Sequence, residues 1–495
     1  MRGLTGAVAA AMICVWGALC AAPSILPTPA ALGDAVKPYV KVMGKRVALT
    51  HVNVIDGTGA AEASERTIVI EDGTIRSVSA ASDDALPADS IVLDLSGHTV
   101  IPGLIGMHDH LYYIARPNLD ASGRSEPPLM VPQMSFSAPR LYLANGVTTL
   151  RTTGSVEPYS DLNVKDLIDA GTIPGPHIDV TGPYLEGGNS PFIQMHRLKD
   201  AEDARKTVAF WADQGATSFK AYMNITRAEL KAAIDEAHRR GLKITGHLCA
   251  VTYPEAAALG IDDLEHGFFV NTQLDPGKVP DVCSKDEGTP TLISMDPDGG
   301  AASDLIKTLI AHHVAITSTL PVFEQQVPGH APLWPRAMDA LTPQAREAYL
   351  YLRNRTNSLP PERANERVIE YQHGLALERK FATAGGLLLA GPDPTGNGGV
   401  IPGFGDLREI ELLVEARFTL EEAVRIATLN GATYLGLAGR IGSIAAGKAA
   451  DLVVLKGDPG HTLTDLQNVE IVFKDGVGYD SASLLESVRG RYGEY

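Results

Sequence analysis

The sequence predicts an α/β protein: a (β/α)8 TIM-type barrel carrying a small composite β-sandwich domain built from both ends of the chain. Three observations predict it. Strand-like and helix-like segments alternate from Val100 to about residue 435, with eight strand candidates and helices between most of them, as in a closed parallel barrel. The flanking segments, 43–99 and 436–485, instead carry short apolar runs broken by Asp-Gly pairs, the hairpin signal. Histidines, a lysine and an aspartate fall at the C-terminal ends of the strand candidates, where such barrels gather their catalytic groups.

The 495 residues fit one large domain with an appendage. Lys plus Arg total 42 against 59 Asp plus Glu, a net charge of −17, which argues against a nucleic-acid partner. Arg2 followed by an uncharged apolar run from Leu4 to Ala22 reads as a signal peptide over 1–22, making the protein exported, periplasmic or secreted. An uncleaved anchor tethering it to a membrane is the alternative. Residues 23–42, rich in Pro and Ala, read as a linker. Of four cysteines, Cys14 and Cys20 lie in the signal region. Cys249 and Cys283 are too few for a disulfide framework, and Cys249 reads as a small buried hydrophobe.

In order, Val47 to Ile55 alternates like a strand, and Asp72-Gly73 and Asp475-Gly476 mark hairpin turns. Val147–Leu150 is a barrel strand, as are His177–Gly182 and Thr217–Tyr222. Thr226-Arg-Ala-Glu229 is a capping box opening a helix that Gly241 ends. Lys243–His247 and Ile261–His266 are strands, Ser303 is set to cap a helix to about His312, and Val314–Ser318 is the seventh strand. Residues 319–365 are a lid-like insertion. Glu366–Ala384 reads as helix, Gly386–Asp393 as the last strand, and Thr419-Leu-Glu-Glu422 as a helix cap.

The run Val100-Ile-Pro-Gly-Leu-Ile-Gly-Met-His108-Asp-His110 ends in two histidines one residue apart. On a strand, residues i and i+2 share a face, so two imidazoles converge as a start for a metal site, while Met107 and Asp109 face away. Lys220, His247, His266 and Asp393 close later strands.

At this point the sequence resembles the amidohydrolase superfamily, in the branch of imidazolonepropionase-like enzymes, Xaa-Pro dipeptidases and ochratoxinase-like amidases. The residues that carry the resemblance are the His108-Asp-His110 run, Asn53-Val-Ile-Asp-Gly-Thr-Gly, Ile261-Asp-Asp-Leu-Glu-His-Gly, Ala427-Thr-Leu-Asn-Gly-Ala and Gly442-Ser-Ile-Ala-Ala-Gly-Lys-Ala-Ala-Asp-Leu. The resemblance implies a hydrolase with two divalent metal ions, expected to be zinc. His108, His110 and Asp393 would hold one, His247 and His266 the other, and Lys220 would bridge them as a carbamate formed with carbon dioxide. Water activated between the metals would attack an amide, with Asp393 as catalytic base and then acid. The family's usual Gly-Thr-Asp or Gly-Ser-Asp is here Gly391-Pro392-Asp393, which removes a backbone donor beside the ligand.

Tyr222, two residues after Lys220, is a candidate substrate contact, with a core aromatic as the other reading. His196, on a long loop, is a second candidate, with an exposed loop histidine as its alternative. Arg336, Arg353 and Arg355 of the insertion are candidates to reach a substrate carboxylate, with a solvated face or an oligomer contact as the favoured reading for any single one. The expected substrate is a small molecule: a dipeptide, Xaa-Pro pair or N-acyl amino acid. Alternatives are cyclic amide, carbamate or xenobiotic amidase chemistry, and a catalytically silent barrel acting as a binding protein. A homo-oligomer with no stable membrane partner is expected.

Overall fold

The computed structural model describes residues 31–80, 86–114, 129–188, 190, 192–394 and 399–493. The expected signal peptide lies outside them, as does the start of the linker.

The two ends of the chain build one nine-stranded sheet. Val40–Val42 pairs with Val477–Asp480, followed by Val469–Lys474, Leu452–Lys456, His98–Pro102, Arg46–Val54, Ala63–Glu71 and Thr74–Ala80, while Ile91–Asp94 lies beside Arg46–Val54. The join is the antiparallel register of Leu452 on Pro102 and Lys456 on His98. The predicted Asp-Gly turns form: Asp72 and Gly73 have φ of 49° and 76°, and Asp475 and Gly476 of 51° and 79°, the doubly left-handed backbone of a tight hairpin. The two tips pack against each other so closely that a Cβ on Gly476 would meet the Gly73 Cα at 2.4 Å. The linker expectation is corrected at its end, because Val40–Val42 belongs to this sheet and Val36 is buried. Apolar residues of the sheet, among them Val47, Ile68, Leu452 and Phe473, share one core.

The middle of the chain is a TIM-barrel-type α/β fold. Leu104–Gly106, Val147–Arg151 and His177–Asp179 form a three-stranded parallel sheet. Thr181–Leu185, which continues the third strand, opens a six-stranded parallel sheet with Ser218–Ala221, Lys243–Gly246, Asp263–Glu265, Ala315–Ser318 and Leu388–Ala390. These strands are buried on both faces, as helix-covered parallel strands must be. At the two junctions, Met107 N–H donates to Ala390 O (2.8 Å) and Ser155 N–H to Gly182 O (3.1 Å).

Capping boxes form at Thr226–Glu229 and Thr419–Glu422, as their spacing predicts. Ser303 differs: it sits inside helix Gly300–Ala311, and its hydroxyl donates to Gly299 O. Segment 319–365 holds three helices, Leu320–Glu324, Pro335–Ala340 and Pro343–Asn357, and Pro361 opens the helix that runs to Thr383. The reading of Cys249 is also corrected. It is disulfide-bonded to Cys283, with 4.7 Å between their Cα atoms. A loop folding back over the barrel end makes this pairing, and a spacing of 34 residues does not announce it.

Candidate metal centre

The six predicted ligands converge at one end of the parallel strands. Each follows or ends a strand: His108 and His110 lie beyond Gly106, Lys220 precedes Ala221, His247 follows Gly246, His266 follows Glu265 and Asp393 lies beyond Ala390. The first strand ends earlier than the sequence suggests, so His108 and His110 sit on the bend after it, with ring centroids 5.2 Å apart. His108 and His266 rings lie 4.6 Å apart, His247 and His266 rings 4.4 Å. Lys220 Nζ is 3.0 Å from His108 Nε2. Asp393 Oδ1 is 3.4 Å from His110 Nε2 and 3.9 Å from His108 Nε2, and its Oδ2 is 3.9 Å from His266 Nδ1. Ligand atoms of His108, His266 and Asp393 all lie within 4.8 Å of one another.

The backbone is shaped to achieve this. His266 and Asp393 take φ of 68° and 51°, a left-handed region that costs a non-glycine residue energy and recurs at functional sites. A Cβ on Gly391 would lie 2.1 Å from His108 N, so only glycine lets the eighth strand approach. With Pro392 lacking an N–H, Asp393 is fixed by its own N–H donating to His108 O at 3.1 Å.

Beneath the ligands lies a charged layer that the sequence reading missed. Glu265 Oε2 accepts from His108 Nδ1 at 2.6 Å, and Glu265 Oε1 accepts from Arg151 Nη2 at 3.0 Å and from Thr245 Oγ1. Arg151 Nη2 also donates to Asp263 at 2.7 Å. Placing the His108 proton on Nδ1 leaves the Nε2 lone pair aimed at the ligand cluster, the arrangement metal-binding histidines use. The signal was present: a charged residue ends a wholly buried strand at Arg151, and Asp263 and Glu265 alternate on one face of the sixth strand.

Charge states suit cation binding. Burial holds His108 and His266 well below the usual imidazole range and His247 at about 3, so the rings are neutral ligands at pH 7. Burial lowers Lys220 to about 8. Burial works to raise Asp393, but the surrounding His108, His110 and His266, with the hydrogen bond to His110, outweigh it and hold the carboxyl well below its usual range. His266 Nε2 is buried without a hydrogen-bond partner among the described residues, as expected of a donor atom meant for an ion. The residues therefore fit a divalent cation.

The cluster floors a cleft of about 1150 Å³, walled by Tyr112, Tyr184, Phe192, Tyr222, Phe269 and Phe323. Tyr222 stands against His247, ring centroids 5.1 Å apart. His196 is not brought in: it is 46% exposed and pairs with Asp203 at 3.0 Å. Arg336 donates to Gln467 O, and Arg353 to Ala331 O and Tyr349 Oη. Instead Arg363 and Arg367, from the next helix, line the cleft. His177, at the start of the third strand, is buried against Asp475 at 2.9 Å. Asp109 faces away from the ligands, toward Asp406, and burial raises it well above the usual carboxyl range.

Comparison with known proteins agrees with this geometry. A 63-residue stretch is 46% identical to the imidazolonepropionase of Phocaeicola vulgatus, covering 12% of this chain and 15% of that enzyme. The chain thus matches under a fifth of the length of this curated relative. A solved Xaa-Pro dipeptidase with methionine bound in its active site superposes with a TM-score of 0.64 at 20% identity, over 88% of this chain and 100% of that one. Ochratoxinase of A. niger superposes with a TM-score of 0.61 at 17% identity, over 87% and 95%; at these identities the likeness is one of fold. The model of the amidohydrolase family matches residues 99–477. Spanning most of the chain and all six converging residues, that match makes this protein a member of the amidohydrolase family.

Proposed function

We propose that the protein is an exported, binuclear metal-dependent hydrolase that cleaves an amide or peptide bond in a dipeptide, Xaa-Pro or N-acyl amino acid substrate. The observation that carries this reading is the convergence of His108, His110, Lys220, His247, His266 and Asp393 on the floor of one cleft. When bound, two divalent cations, zinc in this reading, supply Lewis acidity toward the scissile carbonyl and a more acidic water.

The chain's own groups do the rest. His108 is held in its ligating tautomer by Glu265. Lys220, with its lowered pKa, offers in its neutral form an amine whose lone pair adds to the carbon of carbon dioxide; one N–H proton then passes to solvent, leaving an anionic carbamate whose two oxygens would serve as further cation ligands. Asp393 accepts the proton of the attacking water and returns it to the leaving amine. Tyr112, Tyr184, Tyr222, Phe269 and Phe323 line the approach to the ligand end of the cleft.

In the same reading the parallel strands close as one (β/α)8 barrel, supported by the Met107–Ala390 and Ser155–Gly182 bonds, and the nine-stranded sheet folds over its core as a composite sandwich. Export is supported by the Cys249–Cys283 disulfide, since such bonds persist in oxidising compartments. A second reading, a cyclic amide, carbamate or xenobiotic amidase, draws on the cleft volume of about 1150 Å³, which exceeds the usual range for drug-sized ligands.

The test is hydrolysis of a panel of dipeptides, Xaa-Pro pairs and N-acyl amino acids by zinc-loaded protein, each repeated after chelation. Chelator-sensitive cleavage of a subset supports the peptidase reading. No cleavage with two metals bound per chain moves the assignment to cyclic amides and carbamates.

A further inference from the structure

The cleft differs in character from one side of the ligands to the other. Beside His110 and His247 stand hydroxyl-bearing rings. The Tyr112 ring lies 4.6 Å from the His110 ring, the Tyr222 ring 5.1 Å from the His247 ring, and the Tyr112 and Tyr184 hydroxyls are hydrogen-bonded to each other. Beside His266 the wall is apolar. The Phe323 ring lies 5.9 Å from the His266 ring, edge to face at 81°, and stacks on the Phe269 ring with centroids 3.9 Å apart and planes 8° from parallel. Val270, Val322 and Ile293 carry this wall on. Phe269 is sealed in the core at 3% exposed, whereas Phe323 is half-buried and lines the cleft. One ring is thus the backing, and the other keeps apolar surface open beside His266.

The stacked pair is held from both sides. Phe269 lies on the loop that follows the sixth strand and His266, and the tip of its ring enters a notch in helix Pro361–Thr383. A Cβ on Gly374 would lie 2.2 Å from Phe269 Cζ, so glycine alone leaves room for the ring. Phe323 belongs to helix Leu320–Glu324, which follows the seventh strand. Its neighbour Glu324 is fully buried, accepts from Arg408 Nη2 at 2.5 Å and pairs with His330 at 2.8 Å. A buried carboxylate so engaged cannot move without breaking charge-assisted hydrogen bonds, and this fixes the backbone that carries Phe323.

A rigid apolar surface left open in a cleft gains free energy when an apolar group of a ligand covers it. An aromatic ring suits Phe323 best, because it can pack against it offset or edge-on and adds a ring–ring attraction to the area it buries. The surface adjoins His266, so the side chain that reaches it belongs to a residue flanking the scissile amide. We propose that Phe323, backed by Phe269, is a specificity residue that takes an aromatic side chain on one side of the scissile bond, so that the enzyme prefers an aromatic residue there over a small one. The proposal rests on the amide-hydrolase reading and narrows it.

The test compares Phe-Gly with Ala-Gly and Gly-Phe with Gly-Ala, on zinc-loaded wild type, Phe323→Ala and Phe323→Leu, by kcat/KM and by calorimetric binding. The expected result is a wild-type preference for the aromatic member of one pair of about ten- to hundredfold, the scale of burying one aromatic side chain. Phe323→Ala should remove most of that preference through the aromatic substrate alone, and Phe323→Leu should keep part of it. Rates on the alanine-containing substrates and metal content should not change. No aromatic preference in either pair, a preference undiminished by both substitutions, or equal losses on aromatic and small substrates in Phe323→Leu would overturn the proposal. If Phe323→Ala does not fold, Phe323→Leu carries the comparison. If no dipeptide is hydrolysed, the amide-hydrolase reading fails separately, and the binding preference still decides the role of Phe323; absence of binding of all the dipeptides counts against it.

Discussion

Replacing Glu265 by Gln probes the layer beneath the metal ligands with little change of volume. Glu265 is fully buried and uses both oxygens as acceptors, from His108 Nδ1 at 2.6 Å and from Arg151 at 3.0 Å, the latter oxygen also taking the Thr245 hydroxyl. An amide offers one acceptor and one donor, so one side must face a donor with a donor. If the NH2 turns to His108, the imidazole must move its proton to Nε2, the atom needed for the cation. If it turns to Arg151 and Thr245, both lose an acceptor, and Arg151 keeps only Asp263 at 2.7 Å as a charge partner. Loss of such an orienting carboxylate typically lowers metal affinity by about 10- to 100-fold. Breaking one arm of a buried ion pair costs about 3 kcal/mol at the low end, fitting here because Asp263 remains. With an unfolding entropy of roughly 2.1 cal/mol/K per residue over 495 residues, that is a Tm loss of about 3 °C. The assay is a chelator-competition titration read as zinc per chain, beside a thermal melt of the metal-free protein. Wild-type zinc affinity together with an unchanged Tm would refute the role given to Glu265.

Three further outcomes are expected. Lys220→Ala should lose activity and the paired metals, whereas Lys243→Ala, whose amine caps the Tyr434 carbonyl at the far end of its strand, should keep both; equal activity of Lys220→Ala and wild type would sink the bridging role. Reducing the Cys249–Cys283 bond, which spans 34 residues, should destabilise the fold by roughly 3–4 kcal/mol on the chain-entropy estimate, read as a lower Tm in reductant that Cys283→Ala reproduces without it. Burial raises Glu378 to about 8, so the folded state keeps a proton that the unfolded chain loses near pH 4.5; ionisation then costs stability as pH rises from about 4.5 to 8. Glu378→Gln should therefore raise the Tm at pH 9 relative to wild type more than at pH 5, and an equal shift at both would contradict the assignment.

The convergence of the six residues was legible because the parallel strands punctuate the sequence: an apolar run that stops at a histidine or aspartate marks both an element and its exposed end. The linker and disulfide readings failed for a shared reason. Val40–Val42 becomes a strand, and Cys249 meets Cys283, only through partners distant in sequence, which neither periodicity nor spacing encodes. Arg336, Arg353 and Arg355 were singled out by charge, yet backbone carbonyls claim the first two, while Arg363 and Arg367 reach the cleft because their helix begins at Pro361. Glu265 was hidden by its neighbour: beside a histidine ligand it reads as an ordinary acidic residue until the fold turns it toward His108.

The sheet shared by both chain ends sets an order of assembly. The strand His98–Pro102 leads directly into the one preceding His108, and it rests on Leu452–Lys456, while Gly103 N–H donates to Asp451 O. During synthesis the first two ligands are among the earliest groups made, yet their seat is among the last. Until residues 452–480 emerge, His98–Pro102 presents an open strand edge of the kind that invites wrong pairing. The seat of His108 and His110 is thereby complete only once residues 452–480 are in place.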